Sequence, residues 1–265
     1  MVSIFSKVCM TSALFMHCQL SAAVRELPPS NWSENIVNPP AIPDGSGHQV
    51  LHFGTQDYPY ELPEAVDFVK KYLSKAKRLE TDADLVRFAS DQVTLSGAYL
   101  ELGVTTGKTI NFIAALNPTK TIYGFDSFKG DPGAWHRDGK VIPAGAFALK
   151  DPNKLPLVLN NVKLIQGEFD ESLPYFVKNK LNGQPIAFIH VDSDLYSSSK
   201  TAFDVLGPYI KPGTIILFDE LYAFTGSEEG EFKALKEFLA QSGYGVEYLA
   251  YNAMFEAVAV KIVQK

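Results

Sequence analysis

From residue 98 to the C-terminus, short apolar runs alternate with segments whose apolar residues recur at helical spacing. Near-continuous apolar runs are typical of strands that helices cover on both faces. Strands that alternate with helices form right-handed crossovers, so the pattern predicts an α/β fold with a doubly wound, mostly parallel sheet. The predicted strands are Ala98–Leu102, Thr121–Asp126, Val162–Gln166, Ile186–Val191, Thr214–Phe218, Val246–Tyr251 and Phe255–Val263.

Helical segments join these strands, except at the end of the chain. Only a short turn at Asn252 separates the last two strands, so we expect them to pair as an antiparallel hairpin. The result is a seven-stranded sheet with a C-terminal antiparallel hairpin. The predicted helices are Lys108–Leu116, Glu171–Asn179, Lys200–Ile210 and Glu231–Ser242.

One connection is much longer than the others and runs over Lys129–Asp151. Long loops without regular structure are often functional, so this segment is a candidate lid. Its aromatic and cationic side chains suggest an acceptor pocket, and a surface loop with incidental aromatics is the alternative. These side chains are Trp135, His136, Arg137 and Phe147.

The N-terminal part of the chain has a different composition. In residues 1–23, Lys7 precedes an apolar stretch and small residues follow, which indicates a signal peptide or a disordered leader. Residues 24–60 are rich in Pro, Asn, Ser and Gly, and we interpret them as an N-terminal arm. Two helical patterns then open the domain that we expect over residues 61–265.

Composition excludes several classes of function. A net charge of -6 without a long Lys/Arg run argues against a broad nucleic-acid interface. No apolar stretch reaches the roughly 20 residues of a membrane span. Both cysteines, Cys9 and Cys18, precede the predicted domain, which argues against a structural zinc site. We expect a cytoplasmic protein that acts on a small molecule, with export as the alternative if the leader is a signal peptide. A homo-oligomer is compatible with the sequence.

The turn after the first strand carries the first candidate ligand site. Gly103 allows a tight turn and close approach of a ligand, and Gly107 allows the helix to begin close to the strand. Glu101 is placed to accept hydrogen bonds from the ammonium group of a bound amino acid. The spacing is GxxxG, with Thr105 where the middle glycine of a dinucleotide fingerprint is usual, which disfavours a nicotinamide enzyme.

The next two strand ends extend the predicted cofactor site. Asp126 ends the second strand, where a carboxylate can accept the ribose hydroxyls of a nucleoside, and Ser127 follows it. A helix cap or a loop aspartate is the alternative for Asp126. The third strand ends before Gly167 and Glu168, at the position that typically faces an adenine ring. Asp170 lies just beyond this adenine-facing position, and the alternative for it is that it caps the next helix.

Four carboxylates follow the fourth and fifth strands, which are neighbours in a doubly wound sheet. Converging carboxylates repel each other unless a cation or protons intervene, and hard oxygen ligands favour Mg²⁺ or Mn²⁺. We therefore predict a metal site at Asp192, Asp219 and Glu220. We also expect Asp192 to contact the cofactor and to be a catalytic residue. Asp194 is alternatively a helix cap. His190 is either a catalytic general base or a buried hydrogen-bonding residue.

These motifs together resemble one enzyme family, the macrocin and mycinamicin O-methyltransferases, over about residues 95–262. The resemblance rests on YLELGVTTGKT, YGFDSFKGDPGAW, GEFDESLP, FIHVDSDLYSSSKTAFDVL, KPGTIILFDELY and EGEFKALKEF. It implies the Rossmann-like class I methyltransferase fold, S-adenosylmethionine (SAM), Mg²⁺ and methylation of sugar hydroxyls. It also implies metal ligands at Asp192, Asp219 and Glu220, although the characterised sugar enzymes have a second aspartate where this chain has Glu220.

We therefore expect a SAM-dependent enzyme that methylates a hydroxyl of a small-molecule acceptor with the help of a divalent metal. Three alternatives remain open at this point. They are a metal-independent N- or C-methyltransferase of the same fold, a nicotinamide oxidoreductase, and a non-catalytic SAM-binding protein.

Overall fold

The computed structural model describes residues 63–151, 154–253 and 256–265, so the predicted leader and arm lie outside the described residues. The strands are β1 Lys77–Leu79, β2 Ala98–Leu102, β3 Ile122–Asp126, β4 Trp135–Arg137, β5 Lys140–Ile142, β6 Val162–Gln166, β7 Ile186–Val191, β8 Ile210–Phe218, β9 Gly245–Asn252 and β10 Val258–Val263. The helices are α1 Pro63–Phe68, α2 Asp82–Asp91, α3 Lys108–Leu116, α4 Phe169–Phe176, α5 Tyr196–Leu206 and α6 Glu231–Ser242. Single π-helical turns extend α1 over Val69–Leu73 and α4 over Val177–Leu181.

The main sheet has the order β1-β9-β10-β8-β7-β2-β3-β6. Only β10 runs antiparallel, between β8 and β9, so the predicted doubly wound sheet with its C-terminal hairpin is confirmed. Successive side chains along each strand point to opposite faces of the sheet and pack into two hydrophobic cores. In β2, Leu100 belongs to the core that α4, α5 and α6 cover, whereas Tyr99 belongs to the core under α2 and α3.

The sheet has eight strands rather than the predicted seven. The additional strand, β1, pairs in parallel with β9 at the edge of the sheet. Its sequence, Lys-Arg-Leu, has no apolar run because an edge strand exposes most of its side chains. Helix α5 also begins four residues before the prediction, at Tyr196, since the polar Ser197–Ser199 turn hides the apolar stripe.

The candidate lid contains a small second sheet that the sequence pattern did not predict. Strands β4 and β5 form a separate two-stranded antiparallel sheet. Asp138 and Gly139 connect them, and both have positive φ angles, 51° and 69°. Two such residues form the tight turn whose backbone twist matches that of a hairpin.

Backbone hydrogen bonds tie together the three strand ends at the middle of the sheet. The Asp192 N–H donates to the Leu102 carbonyl at 2.9 Å, and the Asp219 N–H donates to the Val191 carbonyl at 2.9 Å. Gly103 has a φ of +92°, and a Cβ atom there would lie 1.6 Å from the Asp192 carbonyl oxygen. The ends of β2 and β7 can therefore approach this closely only with glycine at position 103.

Gly103→Ala should lower the free energy of unfolding by roughly 3 kcal/mol or more, because strain at a positive φ adds to a backbone clash. Gly139→Ala is the matched control: its φ is +69°, but nothing lies within 4 Å of the added carbon. The control should lose only about 1 to 2 kcal/mol. Urea denaturation of both variants measures the difference, and equal losses would mean that the contact with Asp192 carries no cost.

Candidate active site

A cleft of about 620 Å³ lies at the carboxyl ends of the parallel strands. This is where open α/β sheets bind their ligands. Most of the residues predicted from sequence line it, and four do not: Glu101, Gly107, His190 and Asp219. Those that do are Gly103, Thr105, Asp126, Ser127, Gly167, Glu168, Asp192 and Glu220.

Asp126 organises the glycine turn after β2. One carboxylate oxygen accepts the N–H groups of Val104 at 2.8 Å and Thr105 at 2.7 Å. The other accepts the Phe128 N–H at 2.6 Å. A carboxylate has about four lone-pair positions, so these three bonds leave about one position for a ligand. The sequence prediction assigned Asp126 to the ribose, with a helix cap or a loop aspartate as the alternative, and these three bonds give Asp126 a role in the loop.

Gly107 lies at the other end of this turn and starts α3 with a φ of +81°. A Cβ atom there would meet the side chains of Pro156 at 3.2 Å and Val158 at 3.3 Å. Gly107 therefore allows close packing between α3 and the segment before β6. Thr105 adopts a φ of 46°, which few non-glycine residues do, and it lines the cleft.

Three titratable side chains form a row across the middle of the sheet, in which Glu101 and His190 are buried and Asp219 is partly exposed. His190 Nδ1 lies 3.8 Å from Glu101 Oε2, and its Nε2 lies 3.7 Å from Asp219 Oδ1. Burial lowers the pKa of His190, but the Asp219 and Glu101 carboxylates outweigh burial and raise it well above 6.5. His190 is 1% exposed and does not line the cleft, so its position favours the buried structural alternative over the general base.

The predicted acidic cluster divides into two groups that share Asp192. In one group, ligand atoms of His190, Asp192 and Asp219 lie within 4.8 Å of one another. In the other, Asp194 and Glu220 approach Asp192 within the same distance. The second group consists of carboxylates alone and lines the cleft. Glu220 faces Asp192 there together with Asp194, which the sequence-based ligand set did not include.

Asp194 does not cap α5, as one alternative proposed. Leu195 occupies the N-cap position, and it makes no side-chain cap hydrogen bond. Asp194 has a φ of 56°, and its carboxyl faces that of Asp131 in the candidate lid. Burial, Asp131 and Asp219 raise the pKa of Asp194 to about 8. Asp170 also does not cap α4, because the helix begins at Phe169 after Glu168.

The carboxylates of the cluster are strongly desolvated. Burial, reinforced by Asp219, raises the pKa of Asp192 well above its ordinary value of 3.8. Burial and neighbouring carboxylates do the same to Glu220, whose Oε2 is buried without a hydrogen-bond partner among the described residues. An unpartnered buried oxygen in an all-carboxylate group fits a hard divalent cation, which takes oxygen ligands.

The lid hairpin is fixed to the loop after β8. The guanidinium of Arg137 lies between the rings of Trp135 and Phe224, 4.5 and 4.6 Å from their centroids. Arg137 also pairs with the buried carboxylate of Glu256. The Thr225 N–H donates to Asp138 Oδ1 at 2.9 Å. Trp135, Arg137 and Phe147 line the cleft as predicted for an acceptor pocket, whereas His136 is exposed.

Glu231 is the site residue that pattern reading missed most completely. It begins α6, is fully buried, and accepts backbone N–H groups from the loops after β7 and β8. On a helical pattern, a first-turn glutamate is an ordinary N-terminal residue. Asp131 was also missed, since a lone aspartate in a long loop carries no periodic signal.

Comparison with known proteins agrees with this architecture. The family model described as a methyltransferase domain matches residues 100–221. CalS11, a calicheamicin methyltransferase, is 22% identical, with a TM-score of 0.54 over 87% of this chain and 90% of that chain. No curated protein matches this chain.

Two further solved structures are less similar. The O-methyltransferase NovP is 19% identical, with a TM-score of 0.48 over 69% of this chain and 79% of that chain. MycE, a methyltransferase of mycinamycin biosynthesis whose structure contains Mg and SAH, is 13% identical. Its TM-score is 0.45, over 68% of this chain and 49% of that chain.

Within the described ranges, none of the helices combines the length and apolar character needed to cross a membrane. The family match covers the strands from β2 to β8, whose carboxyl ends form the cleft. Residues 100–221 thus match a methyltransferase-domain model, and the fold of the chain is similar to that of CalS11.

Proposed function

We propose that this protein transfers the methyl group of SAM to a hydroxyl group of a small molecule, with a divalent cation bound beside the acceptor. The observation that carries the proposal is the carboxylate group of Asp192, Asp194 and Glu220 in the wall of the cleft. Asp192 follows β7 directly, next to the glycine turn that we assign to the cofactor. Cation and cofactor would then meet at the end of β7.

The cofactor half of the cleft is formed by the turns after β2, β3 and β6. The backbone of Gly103 and Thr105 would cradle the amino-acid end of SAM, and Asp126 and Ser127 would face its ribose. Gly167 and Glu168 would lie along the adenine. Glu101 lies beneath the turn with 1% exposure, so it supports the ammonium site from below through its charge or through water.

The acceptor half lies between the acidic wall and the lid. A divalent cation bound to carboxylate oxygens lowers the pKa of a hydroxyl that it contacts, which generates the nucleophile for methyl transfer. Asp192 and Glu220 would hold that hydroxyl's position through the cation, and Trp135 and Phe147 would cover the acceptor from the lid. CalS11 shares the fold and is a methyltransferase of calicheamicin, which supports a small-molecule acceptor.

Asp126→Ala should weaken SAM binding about tenfold or more, because hydrogen bonds to a charged group contribute roughly 1.5 to 3 kcal/mol. The variant also loses the three backbone bonds that shape the turn. Isothermal titration with SAM measures the effect, and circular dichroism checks the fold. Asp91→Ala, at the exposed end of α2, is the control. Unchanged SAM affinity in the Asp126 variant would move the ribose site elsewhere.

Asp192→Asn should abolish methyl transfer while SAM still binds, because the substitution removes the carboxylate that both acidic groups share. Chelation with EDTA should have the same effect on the native protein, and Mg²⁺ or Mn²⁺ should restore the native protein alone. Release of S-adenosylhomocysteine in a screen of phenols and sugar alcohols is the readout. Full activity of native and variant protein in EDTA would contradict the metal mechanism and favour the metal-independent methyltransferase.

Two further variants distinguish the two acidic groups. If the cation sits with Glu220 in the cleft wall, Asp194→Asn should weaken Mn²⁺ binding more than Asp219→Asn does. If it sits beside His190, the order should reverse. In EDTA, raising the pH should partly restore methylation of an acidic phenol, which ionises unaided, but not of a sugar alcohol.

A further inference from the structure

One buried carboxylate joins the two loops that carry the acidic cluster. Glu231 Oε1 accepts the Ser193 N–H at 3.5 Å, between Asp192 and Asp194. Its Oε2 accepts the Glu220 N–H at 3.2 Å. Glu231 is 0% exposed, and both bonds are buried. A single side chain therefore bridges the loop after β7 and the loop after β8.

A helix N-terminus by itself does not explain this carboxylate. Acidic residues near a helix N-terminus gain a small benefit from the helix dipole, and they gain it while exposed to water. Burial of a carboxylate without a paired cation costs more than that benefit. The neighbouring carboxylates of Asp194 and Asp219 add repulsion to the cost. The geometry therefore points to a role in the loops that Glu231 joins.

The loop after β7 is held at a second point close by. Ser193 Oγ lies 2.9 Å from Ser199 Oγ, and both hydroxyls are buried. The loop after β8 is held by the Asp219 N–H, which donates to the Val191 carbonyl. Between these anchors, Glu231 is the side chain that spans from one loop to the other. The distance between Asp192 and Glu220 thus depends on its length.

We infer that Glu231 is the positioning residue of the acidic cluster, which sets the separation of Asp192 and Asp194 from Glu220 for a shared divalent cation. The inference rests on the proposed metal site and adds to it a residue that does not touch the cation. Groups that orient metal ligands through hydrogen bonds typically change metal affinity 10- to 100-fold when they are replaced.

Glu231→Asp separates positioning from helix stabilisation. Aspartate keeps the negative charge at the helix N-terminus, where it is as favourable as glutamate, but a side chain one methylene shorter cannot reach both N–H groups. Mn²⁺ is the probe, and its binding to the full chain is followed by electron paramagnetic resonance. We expect Glu231→Asp to weaken Mn²⁺ binding about 10-fold or more, with SAM affinity unchanged. Unchanged Mn²⁺ affinity would overturn the inference.

Glu231→Gln tests the same bridge without a charge, since its amide –NH₂ group would face one of the two N–H donors. It should weaken Mn²⁺ binding at least as much as the aspartate variant. The matched control is Glu237→Gln on the same helix, where the carboxylate accepts the Tyr196 hydroxyl at 2.9 Å. The control should bind Mn²⁺ like the native protein.

The outcomes separate the inference from the proposed function. If the native protein binds no Mn²⁺, the metal site and its positioning residue both fail. If native protein and Glu231 variants bind Mn²⁺ equally, the metal site stands and only the inference fails. If Glu231→Gln does not fold, as judged by circular dichroism, the Glu231→Asp measurement decides.

Discussion

The desolvation of carboxylates at the ends of β7 and β8 governs this part of the molecule. Moving an ionised carboxylate out of water costs several kcal/mol even after the protein relaxes. Burial raises the pKa values of Asp192, Glu220 and Glu231 well above their ordinary range, so the cost is present at each of them. Such a site persists only where cations, backbone N–H groups or protons offset that cost.

The two sides of the sheet differ in how they offset the cost of burying these carboxylates. On the side under α2 and α3, the imidazole of His190 lies between Glu101 and Asp219, whose carboxylates raise its pKa. Among the described residues on the cleft side, Glu231 finds backbone N–H groups, while Glu220 Oε2 finds no hydrogen-bond partner. Glu101 Oε2 also has no hydrogen-bond partner among the described residues, but only Glu220 of these two residues lines the cleft.

The row of Glu101, His190 and Asp219 also links two strands that serve different parts of the proposed reaction. Glu101 and His190 are register partners in β2 and β7, and Asp219 follows β8. Because parallel strands end at one edge, the Glu101 carboxylate in β2 lies two strands from the Asp219 carboxylate after β8, with the His190 imidazole between them.

Sequence periodicity was sufficient for the elements that carry most of this site. β2, β7, α3 and α6 have the predicted bounds, because each is a long apolar run or a clear helical stripe. The adjacency of β7 and β8, and with it the convergence of acidic residues, followed from topology alone. Whole-element arguments succeed here since a parallel sheet places every strand end at a known edge.

The details that failed depend on side-chain direction and on contacts between distant segments. The spacing of apolar residues does not show that Asp194, rather than Asp219, lies with Glu220 in the wall of the cleft. It also does not show that the Asp126 carboxylate accepts hydrogen bonds from three backbone N–H groups. The β4–β5 hairpin had a local signal, since Asp138-Gly139 is a favoured two-residue turn, but its flanking strands are too short to show alternation.

The lid and the acidic cluster line the same cleft, and carboxyl groups from both meet there. Asp131 in the lid faces Asp194, and burial raises its pKa to about 6. Two carboxyls this close cannot both stay ionised without compensation. The pKa of Asp194 is raised to about 8, so a proton on this carboxyl lets it hydrogen-bond to Asp131. The start of the lid is therefore joined to the acidic cluster by a shared proton, whereas Arg137 and Asp138 anchor its hairpin farther along the chain.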